Sequence, residues 1–128
     1  MKLLLDTCTF LWWIAGADAI PPSVKALVSD PANGVHVSAV CAWEIALKHS
    51  LGRLPLPEPP ERFVPLERQR HGFKSLPLDA ASTLHVHRLP RLHRDPFDRM
   101  LICQAIEHGM TLVTPDRLVT QYAVRSVW

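Results

Sequence analysis

The sequence of 128 residues contains no long hydrophobic run, although 48% of its residues are hydrophobic. No uninterrupted apolar stretch approaches the roughly 20 residues of a membrane span. The segment that begins MKLLL and continues to FLWWIAGA has the lysine, apolar run and small-residue pattern of a signal peptide. Asp6 interrupts this run, however, so we expect a buried strand at Met1–Leu5 and a cytoplasmic protein with no membrane partner.

The sequence is also poor in cysteine and in net charge. Its three cysteines, Cys8, Cys41 and Cys103, are odd in number, far apart and without zinc-binding spacing. We therefore expect reduced thiols in the core, and neither a disulfide framework nor structural zinc. The 14 Lys and Arg residues nearly balance the 12 Asp and Glu residues, and the net charge of +2 neither favours nor excludes a nucleic-acid partner.

Apolar strands alternate with helices along the chain. Strands are expected at 1–5, 35–38, 73–78, 111–114 and 123–128, and a proline-rich loop is expected at 53–62. Helices are expected at 7–17, from Pro21 to Val28, and at 38–51, 62–70, 80–87 and 96–108. This alternation predicts one α/β domain over residues 1–128, with a largely parallel sheet whose ligand site lies beyond the carboxyl ends of the strands.

The segment RDPFDRMLICQA (94–105) places two carboxylates at the start of an apolar helix. Asp95 fits an N-cap, since its side chain can accept a hydrogen bond from the first turn and Pro96 needs no partner there. Asp98 lies in that first turn, where the helix dipole favours negative charge, but it points into an arc of apolar side chains. A carboxylate in such an arc is costly unless something pairs with it, so Asp98 is a candidate functional residue and Asp95 is either a cap or a second one.

Three more acidic residues occupy comparable positions. Asp6 follows the first strand and Asp116 follows the strand TLVT (111–114), so both are expected at the same edge of a parallel sheet. Each could equally serve only as a helix cap. Glu44 lies at the margin of the apolar stripe of helix 38–51, and Lys48 one turn later leaves a surface ion pair as an equal alternative.

Taken together, these carboxylates predict a cation. Like charges about 4 Å apart repel by roughly 4 kcal/mol at an effective dielectric near 20, so four of them could converge only around a positive ion. Ligands that are all oxygen favour a hard divalent ion, Mg²⁺ or Mn²⁺. Such a site activates water and clamps phosphate oxygens.

Four segments occur in a characteristic order: LLLDTCTFLWW, VSAVCAWEIALKHSLGRL, DPFDRMLICQA and LVTPD. Together they resemble the motifs of PIN-domain ribonucleases, in particular the VapC-type toxins of bacterial toxin–antitoxin pairs. The resemblance implies a parallel central sheet flanked by helices on both faces, and Mg²⁺- or Mn²⁺-dependent cleavage of single-stranded RNA. It also implies a small cognate antitoxin protein as partner, and a homodimer.

The resemblance assigns roles to individual residues. The acidic positions of the family match Asp6, Glu44, Asp98 and Asp116, which it implies are both catalytic residues and metal ligands. Asp95 is an additional acid that many members lack, and its role as a ligand, an outer residue or a cap stays open.

Basic residues crowd around the start of the same helix. We expect RNA phosphates to be bound here, with a solvated loop that balances the acids as the alternative. The group consists of Arg88, Arg91, Arg94 and Arg99, with His85, His87 and His93. No partner of His85 or His87 has zinc-binding spacing, so a metal role for them is not expected.

Two rival interpretations remain open. A phosphotransfer enzyme with an aspartate nucleophile after its first strand would suit LLLDTCT, but Cys8 stands where that class needs a second acid. The other rival is a catalytically inactive PIN-fold module that binds RNA or protein, and the presence of all four acids argues against it.

Overall fold

The chain forms one parallel sheet with helices packed on it, and a computed structural model describes all of residues 1–128. The strands are β1 (Lys2–Leu5), β2 (Gly34–Ser38), β3 (Lys74–Leu76), β4 (Thr111–Val113) and β5 (Ser126–Val127). Their spatial order is β3-β2-β1-β4-β5, and every neighbouring pair is parallel. This confirms the expected α/β fold with a parallel central sheet.

Six α-helices connect the strands. They are α1 (Thr7–Ala15), α2 (Pro22–Ser29), α3 (Ala39–Ser50), α4 (Pro60–Arg70), α5 (Ala80–His85) and α6 (Pro96–His108), with a short 3₁₀ helix at Arg117–Gln121. None of them combines the length and the apolar character that crossing a membrane requires.

The first strand lies at the centre of the sheet and is covered on both faces. In β1, Leu3, Leu4 and Leu5 are each 0% exposed. Because successive side chains of a strand point to opposite faces, this burial requires helices on both sides of the sheet. Leu4 pairs with His36 of β2 on one side and with Leu112 of β4 on the other.

Local signals in the sequence fix where the longest helix begins and ends. Asp95 caps α6 by accepting hydrogen bonds from the amides of Phe97 and Asp98, and Pro96 occupies the first helical position. Gly109 ends the helix with a φ of 62°, a left-handed conformation that a side chain would disfavour. The helix therefore has the bounds expected from the sequence, Pro96–His108.

Weaker elements differ from expectation at their ends. The final strand is only Ser126–Val127, inside the expected range 123–128, because it pairs on one side only, with β4. Helix α4 begins at Pro60 rather than near Arg62, since proline is well suited to a first helical turn. The 3₁₀ helix at Arg117–Gln121 was not expected.

The topology brings distant parts of the sequence to one edge of the sheet. Asp6 directly follows β1, and Asp116 follows β4 after two intervening residues, Thr114 and Pro115. Helix α3 starts at the same edge, because Ser38 both ends β2 and caps α3 through the Val40 amide, 2.9 Å away. The start of α6 is the fourth contributor to this edge, where the candidate site lies.

Candidate active site

A pocket of about 320 Å³ at the carboxyl edge of the sheet gathers all five acidic residues singled out in the sequence. It is lined by Asp6, Thr7, Cys8, Glu44, Lys48, Asp95, Asp98, Pro115 and Asp116. The carboxyl groups come from four separate parts of the chain, so their convergence is a product of the fold.

Asp6 serves as a helix cap and as a wall of the pocket at once. Its Oδ1 accepts a hydrogen bond of 2.8 Å from the Thr9 amide, as an N-cap of α1 does. The residue is 5% exposed, and this burial raises the pKa of its carboxyl, while hydrogen bonds from Thr114 and Thr9 lower it in part. The two interpretations of Asp6 are therefore compatible.

Glu44 is buried, with both carboxylate oxygens engaged. One accepts a hydrogen bond of 2.6 Å from the Thr7 hydroxyl, and the other forms an ion pair with Lys48 of the next turn. The alternative of an ion pair with Lys48 is thus observed, but Glu44 is only 6% exposed and faces the pocket. The hydrogen bond with Glu44 raises the pKa of Lys48.

Asp95 and Asp98 differ in how their carboxyl groups are used. One oxygen of Asp95 accepts from two amides, Phe97 at 2.8 Å and Asp98 at 3.2 Å, so Asp95 is a well-formed cap that also borders the pocket. Asp98 has no amide partner of this kind. Burial, and then the charges of Asp95 and Asp6, raise the pKa of Asp98 to about 7.

His93, which the sequence placed in the basic group expected to bind RNA phosphates, is a pocket neighbour that contacts the acidic residues. Its Nε2 lies 2.6 Å from Asp116 Oδ2 and 3.3 Å from Asp98 Oδ2, while its Nδ1 accepts a hydrogen bond of 3.0 Å from the Asp95 amide. A nitrogen that accepts from an amide carries no proton, so the proton of the neutral ring is on Nε2. His93 is therefore a hydrogen-bond donor to Asp116 and lies close to Asp98, and its position two residues before the cap of α6 was the signal in the sequence.

The donors of the pocket fit a hard divalent cation. Five carboxyl groups line it, and Lys48 is the one lysine or arginine among the lining residues. Burial and the charges of Asp6 and Asp98 raise the pKa of the Cys8 thiol to about 11, as expected where negative charge is concentrated. Carboxylate oxygen is the ligand type that Mg²⁺ and Mn²⁺ prefer.

The four arginines of the expected RNA-binding group have different surroundings. Arg88 is largely exposed and lies 3.7 Å from Glu107, and Arg91 and Arg94 are exposed without an ion pair. Arg99 instead donates to the carbonyl oxygens of Pro90, at 2.8 Å, and Leu89, at 3.4 Å. None of the four lines the pocket.

Comparison with known proteins identifies the same arrangement of elements elsewhere. The family described as PIN domain matches residues 3–124 of the chain. Ribonuclease VapC16 of Mycobacterium tuberculosis is 44% identical over 69 residues, which cover 54% of this chain and 48% of that protein. The match thus spans about half the length of this curated relative.

Solved structures match over nearly the whole chain but at low identity. VapBC2 of Rickettsia felis, bound to a DNA fragment from its promoter, has a TM-score of 0.73 at 16% identity and covers 99% of this chain and 98% of the other. FitAcB of Neisseria gonorrhoeae has a TM-score of 0.63 at 19% identity, with coverage of 98% and 96%. At such identities the likeness establishes the fold, which agrees with the PIN-like fold expected from the motifs.

Proposed function

The chain belongs to the PIN-domain family, and we propose that it is a Mg²⁺- or Mn²⁺-dependent endoribonuclease that cleaves single-stranded RNA. The observation that carries the proposal is the convergence of five carboxyl groups in one pocket at the carboxyl edge of the sheet. The relative at 44% identity, a ribonuclease by name, supports RNA as the substrate class. We further propose that residues 1–128 act as a single domain in the cytoplasm.

We assign the metal to the four acids of the family motif. Asp6, Glu44, Asp98 and Asp116 are proposed as ligands and catalytic residues, and Asp95 as the helix cap that borders them. When bound there, a divalent cation lowers the pKa of water and stabilises negative charge on phosphate oxygens.

The chain's own groups prepare the pocket for that cation. Thr7 and Lys48 fix the orientation of the Glu44 carboxylate through one hydrogen bond and one ion pair. Because the pKa of Asp98 is raised to about 7, its carboxyl is protonated in a fraction of molecules near neutral pH. A cation nearby favours the ionised carboxylate, so the proton is released when the cation binds. Lys48 places an ammonium group beside the pocket, where it can attract a phosphate.

Substrate binding is assigned to the exposed arginines next to the pocket. Arg91 and Arg94 have the strongest support, because their side chains are exposed and form no ion pair. Arg88 is proposed as a third phosphate contact, although it also approaches Glu107. Arg99 was expected in this group, but its guanidinium donates to loop carbonyls, so we propose that it acts mainly by holding the loop.

We also propose that the protein is the toxin of a type II pair, with a cognate antitoxin and a homodimeric state. Solved VapBC complexes share the fold over 97% or more of their matched chains, which supports a protein partner of the antitoxin kind. Exposed apolar side chains at helical spacing on α3 and at its C-cap, namely Trp43, Leu47 and Leu51, are consistent with a face that a second chain covers.

The test of the catalytic proposal is cleavage of a single-stranded RNA by the purified protein. We expect cleavage with Mg²⁺ or Mn²⁺, loss of cleavage with EDTA, and recovery when the metal is restored. RNA binding without cleavage under any of these conditions would instead favour the catalytically inactive module. Co-purification of a small protein encoded next to this gene, and its inhibition of cleavage, would test the toxin assignment separately.

A further inference from the structure

The loop that leads into α6 is held from two sides. The hydroxyl oxygen of Tyr122 accepts hydrogen bonds from the amides of Leu92, at 3.0 Å, and His93, at 2.7 Å. Arg99 donates to the carbonyl oxygens of Pro90 and Leu89 in the same loop. Residues 89–94 therefore have a fixed backbone although no helix or strand contains them.

The side chain that this loop fixes most firmly is His93. Its side chain is 9% exposed, and both ring nitrogens have partners. Nδ1 accepts from the Asp95 amide, and the protonated Nε2 points at Asp116 and Asp98. A ring with its Nε2 protonated in this way donates to Asp116, lies 3.3 Å from Asp98 and has no lone pair at Nε2 for a metal.

The two carboxylates that His93 contacts belong to different elements of the chain. Asp98 lies in the first turn of α6, whereas Asp116 follows β4 and caps the 3₁₀ helix through the Leu118 amide, 2.9 Å from its Oδ1. The Nε2 atom of His93 and one oxygen from each carboxylate all lie within 4.8 Å of one another. The Nε2 atom thus lies between two proposed ligands, as a hydrogen-bond donor to Asp116 and 3.3 Å from Asp98.

We propose that His93 is a positioning residue that sets the spacing of Asp98 and Asp116, and that Tyr122 and Arg99 act through it by holding the 89–94 loop. The inference rests on the proposed metal site and adds to it a set of residues outside the pocket that determine its affinity. Partners that orient metal ligands commonly change metal affinity by about 10- to 100-fold when they are removed.

Three substitutions of His93 separate its two hydrogen bonds. In His93→Gln the longer side chain can still donate from a position near Nε2, whereas in His93→Asn the shorter one can only replace Nδ1 at the Asp95 amide. His93→Ala loses both bonds. Mn²⁺ affinity of the full chain is measured by titration calorimetry, together with a metal-free thermal melt. We expect His93→Gln to keep an Mn²⁺ affinity within a few-fold of wild type, and His93→Asn and His93→Ala to bind Mn²⁺ about 10- to 100-fold more weakly.

Two further variants complete the design. His87→Ala is the matched control, because His87 is an exposed histidine of the same region and does not line the pocket. Tyr122→Phe removes the acceptor of two loop amides without touching the pocket. We expect it to weaken Mn²⁺ binding, and we expect its effect to be much smaller in the His93→Ala background, since residues that act through one another are not additive.

The outcomes are distinguishable. Wild-type affinity in His93→Ala and Tyr122→Phe would overturn the inference while leaving the metal site in place. Equal losses of affinity in His93→Gln and His93→Ala, with parallel losses of melting temperature, would also overturn it, because they would indicate general loosening of the fold. A wild-type protein that binds no Mn²⁺ would overturn the proposed function, and the inference with it.

Discussion

Replacing Asp98 by asparagine should stabilise the metal-free protein and remove its ability to be stabilised by metal. Burial and the charges of Asp95 and Asp6 raise the pKa of Asp98 to about 7 from an ordinary value of 3.8. Asparagine has almost the same shape, so it can occupy the same place beside His93. The substitution therefore deletes a disfavoured charge and little else.

The size of the effect depends on pH. Below pH 3.8 the carboxyl is protonated in both the folded and the unfolded chain, so it costs no stability. Between that pH and about 7 the unfolded chain ionises first, and the folded wild type loses stability as the pH rises. Above about pH 7 the loss is complete and constant.

The magnitude follows from the shift. A difference of one in pKa corresponds to about 1.36 kcal/mol. The rise in the pKa of Asp98 from 3.8 to about 7 therefore sets an upper limit of about 4 kcal/mol on the loss of unfolding free energy. The Asp98 side chain is 25% exposed, and solvent screens its repulsion from Asp95 and Asp6. We therefore expect Asp98→Asn to raise the free energy of unfolding by about 1–2 kcal/mol at pH 8 and by almost nothing near pH 3.5.

Urea unfolding with EDTA at the two pH values measures this difference, with Asp18→Asn, an exposed carboxylate, as the matched control. Repeating the series with Mn²⁺ at about 100 times its Kd should stabilise wild type by about 2.7 kcal/mol and the Asp98 variant by much less. Equal stability of wild type and Asp98→Asn at pH 8 would refute the reasoning, since it would mean that the carboxylate carries no net penalty in the fold.

Three further predictions concern the neighbours of Asp98. Asp6→Asn should abolish RNA cleavage without lowering the melting temperature, and cleavage retained at saturating Mg²⁺ would contradict its assignment as a ligand. Asp95→Asn should cost only a few tenths of a kcal/mol, because asparagine is an equally good N-cap, and should leave more activity and Mn²⁺ affinity than Asp98→Asn. Replacing the three arginines before α6 by glutamine should make RNA affinity less sensitive to salt, while Mn²⁺ binding stays intact. The slope of log affinity against log salt concentration should fall by about 0.7 for each lost phosphate contact, and an unchanged slope would assign these arginines to a solvated loop. These arginines are Arg88, Arg91 and Arg94.

The parts of the fold that could be predicted from the sequence are those that local chemistry determines. Asp95, Pro96 and Gly109 mark both ends of α6, since a cap, a proline and a left-handed glycine act within one turn of the chain. The apolar run of β1 similarly predicted a strand covered on both faces. By contrast, the two-residue strand β5 depends on pairing with β4, and no local sequence pattern indicates that pairing.

The same distinction applies to the candidate site. Acidic residues after strand ends could be expected at one sheet edge, and the five carboxyl groups do line one pocket. The contact of His93 with Asp116 and that of Arg99 with loop carbonyls depend on how the 89–94 loop lies against Tyr122, 29 residues beyond His93. Loop geometry of this kind is set by packing between distant segments, so a histidine and an arginine that appeared to form a basic group turned out to have structural partners.

The strand order has a consequence for the timing of synthesis. β1 leaves the ribosome first, yet its second neighbour is β4, and the pocket beside them needs both Asp6 and Asp116. At about 5–20 residues per second, the last of these carboxylates emerges on the order of 5–20 s after the first. During this interval the nascent chain has an incomplete set of pocket carboxylates, and the edge of β1 that pairs with β4 has no partner. The pocket is therefore complete only after β4 and Asp116 have been synthesised, and the activity proposed for it cannot begin before then.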